Sequence, residues 1–347
     1  MFTLKPMKKL LLVLLIIVLI GGAIVAWIFL GAATGFSGKK EILYISSKAA
    51  TKEAVLDSIR KNKLVSNVTA FEWLAARMNY WSSVKPGKYE FKEGSSLLSI
   101  VRTLRNGQQT PVNLTITKLR TKEDLARIIG RRFETDSSIM MDFLNNADSL
   151  RDFSIAPELV MTAVLPDTYT YLWTASPKAI FKKMHDAAEK FWTDERKAKA
   201  RSQGLNEQQA YTLASIVEEE TNHDPEKGNI ASVYMNRVRK GMPLQADPTV
   251  KFALRDFGLK RIYEKHLQVE SPYNTYRNAG LPPGPICTPS RKTIDAVLNA
   301  PQTDYYFFVA SPEFNGRHVF TRTYSEHLVE AKKYQSALNA RQSKATP

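Results

Sequence analysis

Residues 10–30, LLLVLLIIVLIGGAIVAWIFL, form an apolar run without a single charged side chain. As a helix rising about 1.5 Å per residue, such a run spans the ~30 Å hydrocarbon core of a bilayer. Lys5, Lys8 and Lys9 precede it and favour a cytoplasmic N-terminus, while Lys39 and Lys40 follow it. A cleaved signal peptide cut at LGAATG is the competing reading, but signal apolar regions are about 7–15 residues, shorter than this run. With no cysteine near residue 33, a lipoprotein is excluded. An uncleaved anchor is the expectation, with nearly all of the chain on the far side of a membrane.

Past this run the period of the apolar positions changes from segment to segment. GAATGFSGKK (31–40) is small and polar and reads as a linker. EILYISS alternates as a strand does. TKEAVLDSIRKNKL has helical spacing, with Val55, Ile59 and Leu64 near one face and Thr51 as N-cap. A second helix is predicted at NVTAFEWLAARMNY, and turn, strand, turn at KPGKYEFKEG. SLLSIVRTLRNG predicts a helix closed by Gly107, and TPVNLTITK a strand rich in β-branched residues. Two helices are expected between Thr121 and about Phe153, then an aromatic turn segment at VLPDTYTYLW. SPKAIFKKMHDAAEKFWTDERKAKARSQG reads as one long basic helix, and the terminal ARQSKATP as a frayed end. The fold class expected is α+β: a single N-terminal transmembrane helix, a small membrane-proximal unit and a larger domain. The boundaries follow as 1–9 cytoplasmic tail, 10–30 transmembrane helix, 31–40 linker, 41–118 membrane-proximal unit, 119–160 connecting helical segment, 161–339 main domain and 340–347 tail.

Composition narrows the function. The chain has 347 residues, 44% of them hydrophobic, enough for about two packed domains. Its net charge of +15 calls for an anionic partner or surface, yet the basic residues are spread out and no nucleic-acid motif is present. An anionic cell envelope suits an anchored protein better. Cys287, the sole cysteine, rules out an intrachain disulfide and a cysteine-rich zinc site; in GPICTPS it reads as a small buried residue rather than a nucleophile. The five histidines, His185, His223, His266, His318 and His327, form no close metal pair. No metal and no cofactor are expected, and neither GxSxG nor a P-loop occurs.

The densest chemistry follows residue 205. Asn206 and Gln209 look like a capping box, and Ala210, Leu213, Ala214 and Val217 form a buried stripe at helical spacing. Three glutamates end that helix in LASIVEEET. By phase, Glu219 falls on the far side with Thr212 and Ser215 and is the solvated one, while Glu218 and Glu220 border the core face. Burial there would raise a carboxyl pKa and give a neutral acid able to donate a proton. Three carboxylates at a helix C-terminus also oppose the helix dipole, so at least one has a use other than stability. Periodicity does not choose between Glu218 and Glu220, and a plain polar helix end remains the competing reading. Asp247 in LQADPTV could serve as a second carboxylate or merely cap the turn before Pro248. In SPYNTYRNAGLPPGP, Tyr273 and Tyr276 flank Asn274 and Thr275, and Gly280, Pro282, Pro283 and Gly284 fix a rigid turn. Aromatic faces interleaved with amide and hydroxyl groups suit a sugar; a well-ordered loop without ligand is the alternative.

In their order, LPDTY, LASIVEEET, IASVYMNR, LQADPTV, SPYNTY and GLPPGPI resemble the YceG-like family of endolytic murein transglycosylases, over about residues 40–335. The membrane-proximal unit then resembles a LysM-like subdomain, and 161–339 is the catalytic domain. The resemblance implies a lyase, a lytic transglycosylase that cuts the MurNAc–GlcNAc β-1,4 bond of peptidoglycan and leaves a 1,6-anhydroMurNAc end. It implies Glu218 as catalyst, the first glutamate of the pattern, with Glu220 supporting. Gln245, Asp247, Asn274, Thr275 and Tyr276 are expected to position the glycan. Expected partners are peptidoglycan glycan strands, the membrane through the N-terminal helix, and peptidoglycan synthases; the expected place is the bacterial inner membrane with the bulk of the chain outside the cytoplasm. A muramidase using Glu218 with Asp247, and a non-enzymatic cell-wall scaffold, are the other readings.

Overall fold

The computed structural model describes residues 6–345. The chain divides into two compact units, the first comprising the chain up to Asn113 with Arg132–Thr135 and Thr170–Ala175, the second the remainder.

The first unit begins with α1 (Pro6–Leu30), which contains a 22-residue span, Lys9–Leu30, long and apolar enough to cross a membrane. It continues with β1 (Lys40–Ile45), α2 (Lys52–Lys61), α3 (Val68–Arg77), β2 (Gly87–Lys92), α4 (Leu97–Asn106) and the start of β3 (Val112–Ile116). β1 and β2 pair antiparallel, with Leu43 opposite Tyr89. The sequence punctuation explains the helix limits: the side chains of Thr51, Asn67 and Ser96 accept from the backbone N–H groups of Ala54, Ala70 and Ser99, and Gly107 closes α4 at φ 68°. Val55, Ile59, Leu64, Tyr89 and Ile100 are fully buried in its core.

The stretch after α1 is not a loose linker. Ala33 is buried, bridges join Ala32 to Ser96 and Thr34 to Val65, and a Cβ on Gly35 would lie 2.8 Å from the Lys63 carbonyl oxygen. Small residues were the sequence signal, and their reason is close packing rather than freedom. Phe29, in the last turn of α1, stacks on Trp73 of α3 at 5.5 Å.

The second unit holds α5 (Lys122–Arg132), α6 (Ser137–Asn145), α7 (Ala147–Leu150), β4 (Asp167–Tyr171), α8 (Pro177–Phe191), α9 (Asp194–Ser202), α10 (Glu207–Glu220), α11 (Lys227–Arg239), α12 (Asp247–Leu254), α13 (Glu264–Leu267), α14 (Arg291–Leu298), β5 (Phe307–Ala310), β6 (His318–Thr321) and α15 (Tyr324–Ala345). β4 pairs with β3, and the unit boundary falls inside both strands and at the end of α5. Most of the segment 119–160, expected as a connection, therefore belongs to the second unit itself.

Three elements differ from the sequence reading. Within VLPDTYTYLW, Asp167–Tyr171 is a strand, β4, with Tyr169 and Tyr171 alternating inward. The single long basic helix is two: Trp192 leaves helical geometry at ψ 69°, and the Thr193 hydroxyl caps α9 by accepting from Arg196 N–H. The tail expected to fray at 340 is helical to Ala345, with residues 346–347 outside the described range.

Candidate active site

Everything at the candidate site hangs on α10. Its N-terminus is the expected capping box: Asn206 N–H donates to Gln209 Oε1 at 2.9 Å and Gln209 N–H to Asn206 Oδ1 at 2.8 Å. From Ala210 to Val217 every residue is buried, so the helix runs through the core instead of along its edge. Thr212 and Ser215, read as a solvated side, lie inside. Ser215 Oγ donates to the Thr212 carbonyl at 2.7 Å and accepts from Ile286 N–H at 2.9 Å, tying the Pro283–Cys287 turn to the helix. Cys287 is buried on the Ser215 carbonyl, and burial pushes its thiol well up, in keeping with a packing role.

The three glutamates diverge into three environments. Glu219 is not the solvated one: it pairs with Lys118 at 2.7 Å and Arg120 at 3.1 Å, its side chain 16% exposed. Burial alone would raise its carboxyl, but the Lys118 hydrogen bond, with the Lys118 and Arg120 charges, holds it below the usual range. Phase misplaced it because α10 is buried on all sides from Ala210 to Val217.

Glu218 is enclosed by donors. Its Oε2 accepts from Lys227 Nζ and Ser290 Oγ, both at 3.2 Å, and from the Thr293 hydroxyl. Lys227 is 5% exposed, and its Nζ also donates to Asp224 at 2.8 Å and to Thr293 Oγ1 at 2.8 Å. Burial would lower the ammonium pKa, but the hydrogen bond to Asp224 and the Glu218 charge outweigh it and raise the value. This ion pair braces the end of α10 against α11 and α14. Replacing Lys227 would leave Glu218 without its cation, whereas Lys227 keeps Asp224 as a partner if Glu218 is replaced.

Glu220 faces a cavity of about 300 Å³, lined also by Arg237, Gln245, Asp247, Tyr276 and His327. Its Oε1 accepts from Tyr234 OH at 2.6 Å. Burial pushes the carboxyl up to about 7; the Tyr234 hydrogen bond opposes this and the Asp247 charge adds to it. Tyr276 OH donates to Asp247 Oδ1 at 2.7 Å, and burial with that bond keeps the phenol protonated. Arg237 is spent on the carbonyls of Tyr306 and Leu244, each at 2.7 Å, and so forms a fixed wall. Gln245 borders the cavity at φ 53°, a left-handed conformation unusual for its type. Burial, then the Arg237 charge, lowers the His327 pKa and keeps the ring neutral; its Nδ1 has no hydrogen-bond partner among the described residues. No group of three or more His, Cys, Asp or Glu able to hold a metal occurs among the described residues. A cavity of about 380 Å³ at the opposite end of α10, around His185 and Trp192, contains none of the expected site residues.

This order of carboxylates, tyrosines and turns along one chain can be set beside known proteins. The YceG-like family model matches residues 43–333. The chain belongs to the YceG-like family. It is similar to the endolytic murein transglycosylase of Bacillus subtilis strain 168, at 29% identity over 306 residues, covering 82% of each chain. The protein of that name from Streptococcus pneumoniae D39 is 25% identical over 304 residues; the match covers 79% of this chain and 55% of that longer protein. The crystal structure of a yceG-like protein from Listeria monocytogenes superposes with a TM-score of 0.55 at 27% identity, covering 84% of this chain and 98% of that one.

Within this YceG-like chain, the expected glycan-positioning set splits. Gln245, Asp247 and Tyr276 come together around Glu220. Asn274 and Thr275 do not, being 0% and 1% exposed. Asn274 Nδ2 donates to the carbonyls of Leu267 and Val269, each at 2.9 Å, and Thr275 Oγ1 accepts from Ala246 N–H at 3.0 Å. They shape the loop that presents Tyr276 and Gln245. Polar residues between two tyrosines gave no sequence sign of which would point inward. Tyr234, Arg237 and His327 were missed: the first two sit within a helical stripe indistinguishable from core, and His327 offered no motif.

Proposed function

We propose that this chain is a membrane-anchored endolytic murein transglycosylase, with Glu220 rather than Glu218 as its acid–base group. The single observation that carries the assignment is the position of Glu220. It alone of the three glutamates opens onto the cavity shared with Gln245, Asp247 and Tyr276, and its carboxyl is raised to about 7. Such a group is protonated near neutral pH and can still become a base. Glu218 fits a bracing role, since its Oε2 already accepts three donors.

In the mechanism, neutral Glu220 donates its proton to the glycosidic oxygen between MurNAc C1 and GlcNAc O4. The C1–O4 bond breaks and positive charge develops at C1. The 6-hydroxyl of the same MurNAc attacks C1, and ionised Glu220 takes up the proton released. The products are a 1,6-anhydroMurNAc end and a GlcNAc 4-hydroxyl end, with the enzyme restored. Because the nucleophile belongs to the substrate, a second protein carboxylate is not required. Asp247, oriented by Tyr276, adds negative charge beside the developing cation, and Gln245 and His327 present hydrogen-bonding groups to the sugar.

The placement of Asp247 in the same cavity favours one second reading, a muramidase in which Asp247 activates water or forms the glycosyl intermediate. Mass spectrometry of products from purified peptidoglycan separates the two. The transglycosylase gives ends lighter by one water than the muramidase's reducing ends. Exclusively reducing ends would refute the lyase reading.

The N-terminal helix α1 supports anchoring in the inner membrane with the N-terminus cytoplasmic, following Lys8 and Lys9. The β1–α2–α3–β2 order, with paired outer strands, supports reading the first unit as LysM-like and glycan-binding. An enzyme so placed meets new strands near membrane-bound peptidoglycan synthases, its expected partners.

A further inference from the structure

Glu220 walls a second cavity, of about 730 Å³, formed with the segment after α10, the β5–β6 turn and α15. Among the lining residues of the two cavities only Glu220 is common to both. The second space is within the range of a small-ligand site. An enzyme that cuts inside a strand must hold sugar beyond the acid in both directions, and the cavity around Gln245 and Tyr276 supplies one.

The chemistry of the second cavity suits a sugar. Phe314 and Tyr334 pair at 5.7 Å between ring centroids, and the Arg341 guanidinium lies over the Phe314 ring at 5.0 Å. Both rings are partly exposed, so an apolar sugar face can lie against them. Asn222 and His223 bring amide and imidazole groups to the same cavity, and Arg317 adds a cation.

The platform is held in place before any ligand arrives. β5 and β6 pair in register with Ala310 opposite His318. The turn between them is fixed by Glu313 N–H to Ser311 Oγ at 3.3 Å, Asn315 Nδ2 to Glu313 Oε2 at 2.7 Å, and Arg317 N–H to Asn315 Oδ1 at 3.0 Å. Glu226 accepts from the backbone N–H of His318 at 3.1 Å and lies 3.0 Å from its Nδ1. Phe314 itself sits at φ 54°, a conformation that a bulky side chain rarely adopts. A strained aromatic residue on a braced turn beside a catalytic group is the pattern expected of a residue held for binding.

We infer that Phe314 and Tyr334 form a second glycan subsite, stacking a sugar of the strand on the side of Glu220 away from Gln245 and Tyr276, with Arg317 and Arg341 facing the acidic substituents that murein sugars carry. The inference rests on the glycan-cleaving reading proposed for Glu220. Glu220 is the wall that the two cavities have in common.

The test uses the full-length chain in detergent and purified, peptide-free glycan strands of defined length classes. Phe314→Ala and Tyr334→Ala should each raise KM on long strands about tenfold, with kcat within about twofold. The advantage of long strands over short ones should shrink accordingly. Phe314→Tyr, which keeps the ring, should restore KM to within about twofold of wild type. In the Glu220→Gln background the same alanine changes should weaken binding of uncleaved strands by the same factor. Unchanged KM and binding in both alanine variants, with native circular dichroism, would overturn the subsite. A loss that Phe314→Tyr does not restore would overturn it as well, pointing to the turn's fold. If wild type released no anhydro ends, the glycan-cleaving reading itself would fail, a different result.

Discussion

At the scale of single residues, burial raises the Glu220 carboxyl and two neighbours, Tyr234 and Asp247, then act on it in opposite directions. In the acid role proposed for it, Glu220 donates only while protonated, so turnover should fall as pH rises through about 7. The Tyr234 hydroxyl stabilises the ionised form. Tyr234→Phe removes that bond, raises the Glu220 pKa, and should move the basic limb of the kcat/KM profile to higher pH. Asp247 disfavours ionisation, so Asp247→Asn should move the same limb to lower pH while also costing activity. Rate–pH profiles of the two variants check both signs; limbs that move together, or not at all, would remove Glu220 from the acid's role. A stability effect follows from the same shift. Glu220 carries no folded-state penalty below its ordinary value of 4.5; the penalty builds as pH rises and is complete above about 7. Glu220→Gln should therefore gain stability relative to wild type between about pH 5 and pH 8, by ~1–2 kcal/mol after allowing for partial exposure. Thermal unfolding at the two pH values measures it. Sequence phase could bring Glu218 and Glu220 forward but could not separate them. What separates them is Lys227, Ser290 and Thr293 around one and Tyr234 above the other, contacts made across the fold.

At the scale of elements, local signals were the legible ones. Thr51, Gly107 and the Asn206–Gln209 box act in the structure as their residue types dictate, because a cap depends only on its own turn. Thr193 was a cap signal too, hidden inside a continuous basic pattern that spans α8 and α9. The buried side of α10 was illegible for another reason. Thr212 and Ser215 are polar yet enclosed, and Ser215 spends its hydroxyl on the Ile286 N–H. Ser215→Ala should strand that N–H and cost about 1–3 kcal/mol, read by denaturant unfolding. A cost below about 0.5 kcal/mol would mean the turn does not depend on it. The docked segment after α1 gives a similar test. A Cβ at Gly35 meets backbone atoms of Lys63 and Val65 at 2.8–3.0 Å, so Gly35→Ala must displace the segment. Limited proteolysis between 31 and 40 should accelerate; an unchanged cleavage pattern would contradict the docking.

At the scale of the whole molecule, α1 and the first unit are continuous in packing, and the second unit builds the candidate site from its own residues. The apolar run, the α+β character and the family pattern were readable in sequence because each is written in long or ordered features. Which carboxylate faces the cavity was not, because the deciding groups come from α11, α12, α14, α15 and the loop around Tyr276, far apart along the chain. The most direct measurement is muropeptide mass analysis of purified peptidoglycan treated with wild type, Glu220→Gln and Glu218→Gln, each checked for native folding. Wild type should release 1,6-anhydroMurNAc ends, Glu220→Gln should lose at least about a hundredfold of that activity, and folded Glu218→Gln should keep a measurable share of it. Full activity in Glu220→Gln, with loss confined to a well-folded Glu218→Gln, would contradict the assignment.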